Sequence, residues 1–364
     1  MDKVIGLIAA NYETPALGTL TAERTVASLP FGGRYRLIDF PLSNMVNAGI
    51  RTVGVVTSQK YRSLLDHIGA GKDWSLDRNV GGLCVLPGST YGITSIGSRF
   101  VLRDLEQNMV YLMRSPAPYV IVAAANSVNN IDYTDVISAH IKSGADITMV
   151  CRKASKAAPL ATALKVEGER ISGVSHGVKS GDIEFLDCFV ASRDLLLKLV
   201  EWYRAINYLD LFEVIANDYD KMMVLPYEFK GYSALIADIG SYYSHSMDLL
   251  RTSVYDELFC GERPVITKVR DAVPTKYMNG AKVANSLIPA GCIIRGTVKN
   301  SILFRGARIE EGAVVENSIL FKDSIIKAGA VVANAILDRH NTIEEGAVIK
   351  GSSRTPFIKD KGII

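Results

Sequence analysis

The feature that restricts this chain most is a repeat near its end. Ile309-Glu310-Glu311-Gly312-Ala313-Val314-Val315 recurs as Ile326-Lys327-Ala328-Gly329-Ala330-Val331-Val332 and then as Ile343-Glu344-Glu345-Gly346-Ala347-Val348-Ile349, at steps of 17 residues. A second thread keeps the same period: Asn300-Ser301-Ile302-Leu303, Asn317-Ser318-Ile319-Leu320 and Asn334-Ala335-Ile336-Leu337. A looser copy, Ile288-Pro289-Ala290-Gly291-Cys292-Ile293-Ile294, precedes both. A unit this short cannot bury an apolar face by itself, so successive copies must stack on one another. Aliphatic residues fall every five or six positions, as in Val314, Ile319, Ile325, Val331 and Ile336. That spacing predicts a parallel β-helix of three faces, each giving one inward aliphatic per coil while glycine turns a corner. Residues 281–364 are assigned to this β-helix and its C-terminal tail. Residues 251–280, where Pro264 and Pro274 break regular structure, are assigned to a linker and first cap.

Residues 1–250 read differently. Short aliphatic runs at 4–9, 52–57, 119–124 and 146–151 predict strands buried on both faces. Longer amphipathic stretches at 43–48, 61–68, 103–113 and 133–143 predict helices between them. Residues 192–207 add a helix through Leu195, Leu196, Leu199, Val200 and Tyr203. Such alternation implies an α/β domain with a mostly parallel, Rossmann-like sheet covered on both sides.

A chain of 364 residues can bury a substantial core in two domains. Its net charge of +3 gives no field that argues for nucleic acid or a membrane surface. The apolar run at 4–10 is far too short to span a bilayer and is followed by Asn11, Tyr12 and Glu13, which predicts a buried first strand and no signal peptide. Cys84, Cys151, Cys188, Cys260 and Cys292 are scattered, odd in number and never spaced C-x-x-C. Reduced thiols in a cytoplasmic protein are expected, with no disulfide and no metal site. His140 and His176 lack neighbouring acids or cysteines in sequence and are not expected to be ligands.

A longer motif stands ahead of the first helix: Pro30-Phe31-Gly32-Gly33-Arg34-Tyr35-Arg36-Leu37-Ile38-Asp39-Phe40-Pro41-Leu42-Ser43-Asn44. Asn47-Ala48-Gly49-Ile50-Arg51, His67-Ile68, Asp238-Ile239-Gly240-Ser241 and Asn300-Ser301-Ile302-Leu303-Phe304-Arg305-Gly306 follow it. With a parallel-sheet nucleotidyltransferase domain ahead of a β-helix, these segments resemble the glucose-1-phosphate adenylyltransferase (ADP-glucose pyrophosphorylase) family. The likeness covers essentially the whole chain and implies that the β-helix is left-handed. Family members make ADP-glucose for glycogen or starch. A sugar-1-phosphate oxygen attacks the α-phosphorus of ATP, with Mg2+ between the phosphates and cations on the leaving pyrophosphate.

The residues that this chemistry needs are missing. A loop that cradles a triphosphate is rich in glycine and carries a cation. Where the family reads A-G-G-x-G-x-R-L, this chain has Ala10, Asn11, Tyr12, Glu13, Thr14, Pro15, Ala16 and Leu17. Pro15 removes a backbone donor, and Glu13 is expected to repel phosphate. The next family cation falls on Val26, and the base-binding G-T-A-D-A segment falls on Phe100-Val101-Leu102-Arg103-Asp104. The metal-binding aspartate falls on Asn126, whose neutral amide is a poor ligand for a hard dication. The sugar-phosphate lysine has no counterpart near Val178-Lys179-Ser180, so Asp238 is the sole survivor of the catalytic set, beside the vestigial Asn126. Tyr232, Tyr242 and Tyr243, which bracket Asp238, read as core aromatics.

The resemblance therefore implies a GlgD-type, non-catalytic regulatory subunit that binds no cofactor itself. Its implied partner is a catalytic GlgC-type paralogue that uses Mg2+, in a tetramer. Arg34, Arg36 and Arg51 are the candidate cations for an anionic small-molecule effector, since this region lies near the seam with the β-helix in the family. Two other readings stay open. One is an active sugar-phosphate nucleotidyltransferase with an altered triphosphate loop. The other is a β-helical acyltransferase, for which His340 is the lone candidate.

Overall fold

The computed structural model describes residues 3–88, 102–203 and 221–362. Val4–Ala10 is buried along its whole length and lies at the centre of a sheet, parallel to Thr52–Thr57 on one side and to Tyr119–Ala124 on the other. Gly82–Pro87 extends the parallel block beyond Thr52–Thr57. Unbroken aliphatic runs suit strands covered on both faces. Ile5, Leu7, Val120 and Val122 pack with Leu196 and Leu199 on one side, and Ile8, Val53, Val55 and Ile121 with Leu42, Met45 and Val136 on the other.

Beyond Tyr119–Ala124 the sheet turns antiparallel. Ile183–Ser192 pairs with that strand and with Ile147–Lys153, and a hairpin of Ala158–Glu167 and Arg170–Val178 forms the edge. Nine strands among the described residues make up this mixed sheet. The hairpin escaped the sequence reading because register shifts at Ile171/Gly173 and His176/Val178 break its alternation.

Three helices differ from expectation for local reasons. The stretch 103–113 forms two helices, Leu102–Gln107 and Met109–Arg114. Between them Asn108 donates its side-chain amide to the Asp104 and Pro87 carbonyls at 2.8 and 2.9 Å. The helix expected at 43–48 begins earlier, as Asp39–Asn47, with Pro41 in its first turn, where no intrahelical N–H is required. Arg193–Trp202 starts where the Ser192 hydroxyl accepts from the Leu195 N–H; residues 204–207 of that expected helix lie outside the described residues. Among the described residues no helix is long and apolar enough to cross a membrane.

The repeats build three parallel sheets of five, five and four strands. Asn285, Asn300, Asn317 and Asn334 turn one corner with φ between 43° and 49°, a left-handed conformation that asparagine tolerates. The serine after such a corner receives the N–H of the coil above: Ser318 N–H donates to Ser301 Oγ and Ala335 N–H to Ser318 Oγ, both at 3.1 Å. That is the physical origin of the repeated Asn-Ser thread.

The inward columns are not the ones the five-or-six spacing selected. The axis is filled by Ile294, Ile309, Ile326 and Ile343, by Val298, Val315 and Val332, and by Leu303, Leu320 and Leu337. Val314, Ile325 and Val331 lie on the outer surface and are only half-buried, while Ile319 and Ile336 pack on the first domain. Both members of each Val-Val, Ile-Ile or Ile-Leu pair are aliphatic, so spacing cannot choose between them, and a one-residue slip reverses every side chain. Ile319→Ala and Leu320→Ala should each cost about 2–5 kcal/mol, although they point in opposite directions, because both are fully buried. Val314→Ala should cost about 1 kcal/mol or less in the isolated chain. Thermal unfolding of the three variants checks the assignment.

Ile302, Ile319 and Ile336 join Phe304, Phe321, Leu17, Phe31, Tyr35 and Tyr242 in one apolar cluster that unites the domains. Residues 251–280 hold more than a linker. Thr252–Phe259 is a helix that contributes Val254 and Leu258 to this cluster, and Lys276–Tyr277 already pairs with Ile293–Ile294 as the first strand of a β-helix sheet.

Candidate functional site

Parallel sheets place ligands beyond the carboxyl ends of their strands. Past Ala10 the chain forms no phosphate-cradling loop. Asn11 Nδ2 donates to Asp104 Oδ2 at 2.5 Å, and Tyr12 is buried in the cluster that holds Leu17, Leu29 and Val26. Thr14 caps the 3-10 turn Pro15–Thr21, its hydroxyl accepting from the Ala16 N–H at 3.2 Å. Val26, expected to stand where the family has a cation, is 1% exposed and packs in the core. Glu13, expected to repel phosphate, is paired: Lys60 Nζ lies 3.4 Å from its carboxylate and donates to the Thr21 carbonyl at 3.1 Å.

Asn126 is 1% exposed, and neither of its amide atoms has a hydrogen-bond partner among the described residues. Its backbone carbonyl accepts from the Ile236 N–H at 2.8 Å, which draws the Asp238 turn alongside. Asp238 caps the helix Ile239–Asp248: Oδ1 accepts from the Ser241 N–H at 2.6 Å, and Ser241 Oγ accepts the Asp238 N–H at 3.0 Å. A neutral amide and one carboxylate committed to a helix cap do not fit Mg2+, which takes hard anionic oxygens. Among the described residues no group of three or more His, Cys, Asp or Glu side chains could hold a metal ion. Of the base-binding segment, Phe100 and Val101 lie outside the described residues, while Leu102 and Asp104 are buried. Tyr242 and Tyr243 are core residues, and Tyr232 donates to Asp248 at 3.1 Å. His140, edge-on to the Tyr119 ring, is within 2.8 Å of Thr148 Oγ1, and burial lowers its pKa.

Asn126→Asp should therefore not create adenylyl transfer. An ionised carboxylate so deeply buried should cost roughly 2–4 kcal/mol at neutral pH. Burial raises such a carboxyl above its unfolded value, so the penalty is full above the folded pKa and fades as pH falls toward about 4. Comparing unfolding midpoints of variant and parent across this range tests both halves of the expectation.

Cations gather elsewhere. A cavity of about 700 Å3 opens where the hairpin of Pro30–Phe31 and Tyr35–Arg36 and the helix Arg62–Ile68 face the β-helix. Nine cationic side chains line it (Arg34, Arg36, Arg62, Lys268, Arg270, Arg305, Lys322, Arg339 and Lys361) against two carboxylates, Glu23 and Asp66. Arg34 is exposed, its guanidinium 5.1 Å from the centre of the Tyr35 ring. Arg36 is held by Ser63, donating to its Oγ at 2.9 Å and to its carbonyl. Burial draws Arg36 down to about 10; Asp39 opposes that, and Arg24, Arg270 and Arg339 add to it, so it stays charged at neutral pH. Arg305 is lowered by burial and then by Arg270 and Arg34. Cations that depress one another in this way are short of counter-anions.

The hairpin reaches the seam because its turn is glycine. Gly33 has a φ of +81°, and a Cβ there would stand 3.0 Å from the Leu303 carbonyl of the β-helix. Below it, the fully buried Asp39 accepts from the Arg36 N–H at 3.0 Å and lies 2.6 Å from His67 Nε2, which fixes hairpin and helix together. Arg24, 4% exposed, reaches Asp338 at 2.5 Å and lies over Phe321. Arg34 and Arg36 thus share the cavity, but Arg51 is not among its lining. Its carbonyl accepts from the Gly82 N–H at 2.8 Å, bracing two strands. Sequence reasoning missed the other seven cations, though one signal was present: Arg305, Lys322 and Arg339 are spaced 17 residues apart, one per coil.

A nucleotidyl transferase family model matches residues 16–161, and a model described as GlmU-like, C-terminal hexapeptide, matches residues 272–355. The second match accords with a left-handed β-helix for the three sheets. The chain is 40% identical to the glycogen biosynthesis protein GlgD of Geobacillus stearothermophilus, over 100% of this chain and 97% of that one. It is 33% identical to the protein of the same name from Bacillus subtilis (strain 168), over 85% and 82%. With the glucose-1-phosphate adenylyltransferase of Pseudothermotoga lettingae it shares 30% identity, over 86% of this chain and 77% of that one.

Proposed function

Because the chain belongs to the glucose-1-phosphate adenylyltransferase family, alongside the GlgD glycogen biosynthesis proteins, we propose that it serves ADP-glucose synthesis for glycogen as a non-catalytic, regulatory subunit. One contrast within the chain carries this reading. In the segment expected to hold a triphosphate, Tyr12 and Val26 pack into the core and Asn126 offers only a neutral amide, while cations concentrate at the seam between the domains. Chemistry falls to a catalytic GlgC-type paralogue with its own Mg2+, and this chain contributes a site for an anionic effector. A ligand at a domain seam can bias any equilibrium whose states hold the two domains differently.

The β-helix offers the assembly surface. Val314, Val331 and Val348 stack in register along an outer face, and Val348 is 61% exposed. Ile293 and Ile325, on a second outer face, are half-buried. A partner subunit in a closed tetramer would cover such columns. Deleting residues 281–364 would strip the cluster that also holds Phe31 and Tyr242, so charge on the surface is the cleaner probe.

Co-expression with the catalytic paralogue, followed by mass and activity measurement, tests the proposal. A stable hetero-oligomer with altered effector response is expected, and Val331→Glu with Val348→Glu should abolish it while leaving this chain folded. Arg62→Ala with Lys322→Ala should leave the complex assembled but weaken its response to anionic effectors. Asp238→Ala should cost about 1 kcal/mol of stability as a lost helix cap and leave complex activity unchanged. A silent arginine–lysine pair together with loss of activity on changing Asp238 would overturn the reading.

A further inference from the structure

We infer that Glu23 is a built-in counter-anion of the seam cavity: its carboxylate occupies the place of one phosphate group and makes the site selective for dianions over monoanions. The inference rests on the seam being an anion site. Glu23 Oε2 lies 3.0 Å from Lys361 Nζ and 3.7 Å from Arg339 NH2, and both of these cations line the cavity. An oxyanion held between an ammonium and a guanidinium reproduces how one edge of a phosphate is gripped. The next residue, Arg24, is buried against Asp338, so the backbone at this point is anchored to the β-helix. The Glu23 side chain is itself 61% exposed and can swing out without disturbing that anchor. Lys361 holds its carboxyl below the ordinary value, so the internal anion is ionised throughout the neutral range.

The consequence is a filter by charge. A carboxylate ligand that displaces Glu23 exchanges one single charge for another and gains little. A phosphate ester brings a second negative charge and further acceptors to the same cations, so it gains where the monoanion does not. Glu23 thus sets the threshold for entry without blocking the site.

Titration calorimetry of the full chain with inorganic pyrophosphate and with acetate tests this. Glu23→Gln should bind pyrophosphate roughly three- to tenfold more tightly and with a steeper salt dependence, since the cavity gains one uncompensated cation. Acetate, undetectable with the parent chain, should become measurable. Arg339→Ala combined with Lys361→Ala should weaken pyrophosphate binding and erase the difference between the parent and the Glu23→Gln variant, because both cations that Glu23 faces are then gone. An unchanged unfolding midpoint for Glu23→Gln, expected for an exposed side chain, keeps the comparison clean. If pyrophosphate binds the parent and binding is lost on Lys322→Glu, but Glu23→Gln does not tighten it, the counter-anion role is refuted and the seam site stands. If the parent does not bind pyrophosphate, or Lys322→Glu leaves binding untouched, the seam reading itself is refuted and this inference with it.

Discussion

The isolated chain is expected to release no pyrophosphate above background from ATP and glucose 1-phosphate, with or without Mg2+. Adenylyl transfer concentrates negative charge on the leaving pyrophosphate, and a protein lowers that barrier chiefly through preorganised donors, cations and metal. One such donor is worth about 3 kcal/mol, or roughly a hundredfold in rate, so losing several should exceed about 10^4-fold. Here the loop after Ala10 spends its groups inward: Asn11 on Asp104, the Ala16 N–H on Thr14, Tyr12 in the core. Lys60, the cation paired with this loop, is committed to Glu13 and the Thr21 carbonyl. Adding glycines or single charges would not reopen the loop while Tyr12 and Val26 anchor it. Robust Mg2+-dependent pyrophosphate release from protein free of any paralogue would overturn this expectation and favour the altered-loop enzyme.

The largest stability effect should come from Arg24 and Asp338, 314 residues apart in sequence and joined at 2.5 Å across the seam. Asp338 is 2% exposed and Arg24 4%, so Arg24→Ala leaves a carboxylate buried without its guanidinium. Breaking one side of such a pair costs about 3–5 kcal/mol, whereas replacing both partners by apolar side chains is often close to neutral. Asp338 retains the Arg339 N–H, at 2.7 Å from Oδ1, which softens the loss without removing it. Arg24→Ala and Asp338→Ala should therefore each lower the unfolding midpoint strongly, and Arg24→Met with Asp338→Leu should recover most of the loss. A double-mutant cycle in denaturant measures the coupling. If both single variants unfold like the parent, the buried bolt between the domains is not what holds the seam.

How far the sequence spoke differs between the two halves of the molecule. The 17-residue threads announced the β-helix because each coil repeats one local problem: an asparagine at a left-handed corner, a serine accepting the next coil's N–H, an aliphatic pair on each face. Aliphatic runs located the central strands, since Val4–Ala10 is covered on both faces and needs no alternation. The antiparallel hairpin was not legible, because its bulges destroy the period that a strand reading depends on. Nor was the inward column, because Ile319 and Leu320 are equally apolar and only the position of the first domain makes one face the axis and the other the seam.

The sequence by itself determined which groups the segment after Ala10 can offer. Residues 11–17 contain no glycine and no cation, and no packing can supply a side chain that is not encoded. Tertiary structure alone decided where charge collects. Arg36, Arg270, Arg339 and Lys361 are distant along the chain, and their sequence neighbours are ordinary. They become one field only because Gly33 lets the hairpin touch the β-helix and because successive coils bring Arg305, Lys322 and Arg339 to one corner. Coulomb interaction depends on distance through space, which a linear sequence does not hold until the fold has brought its ends together.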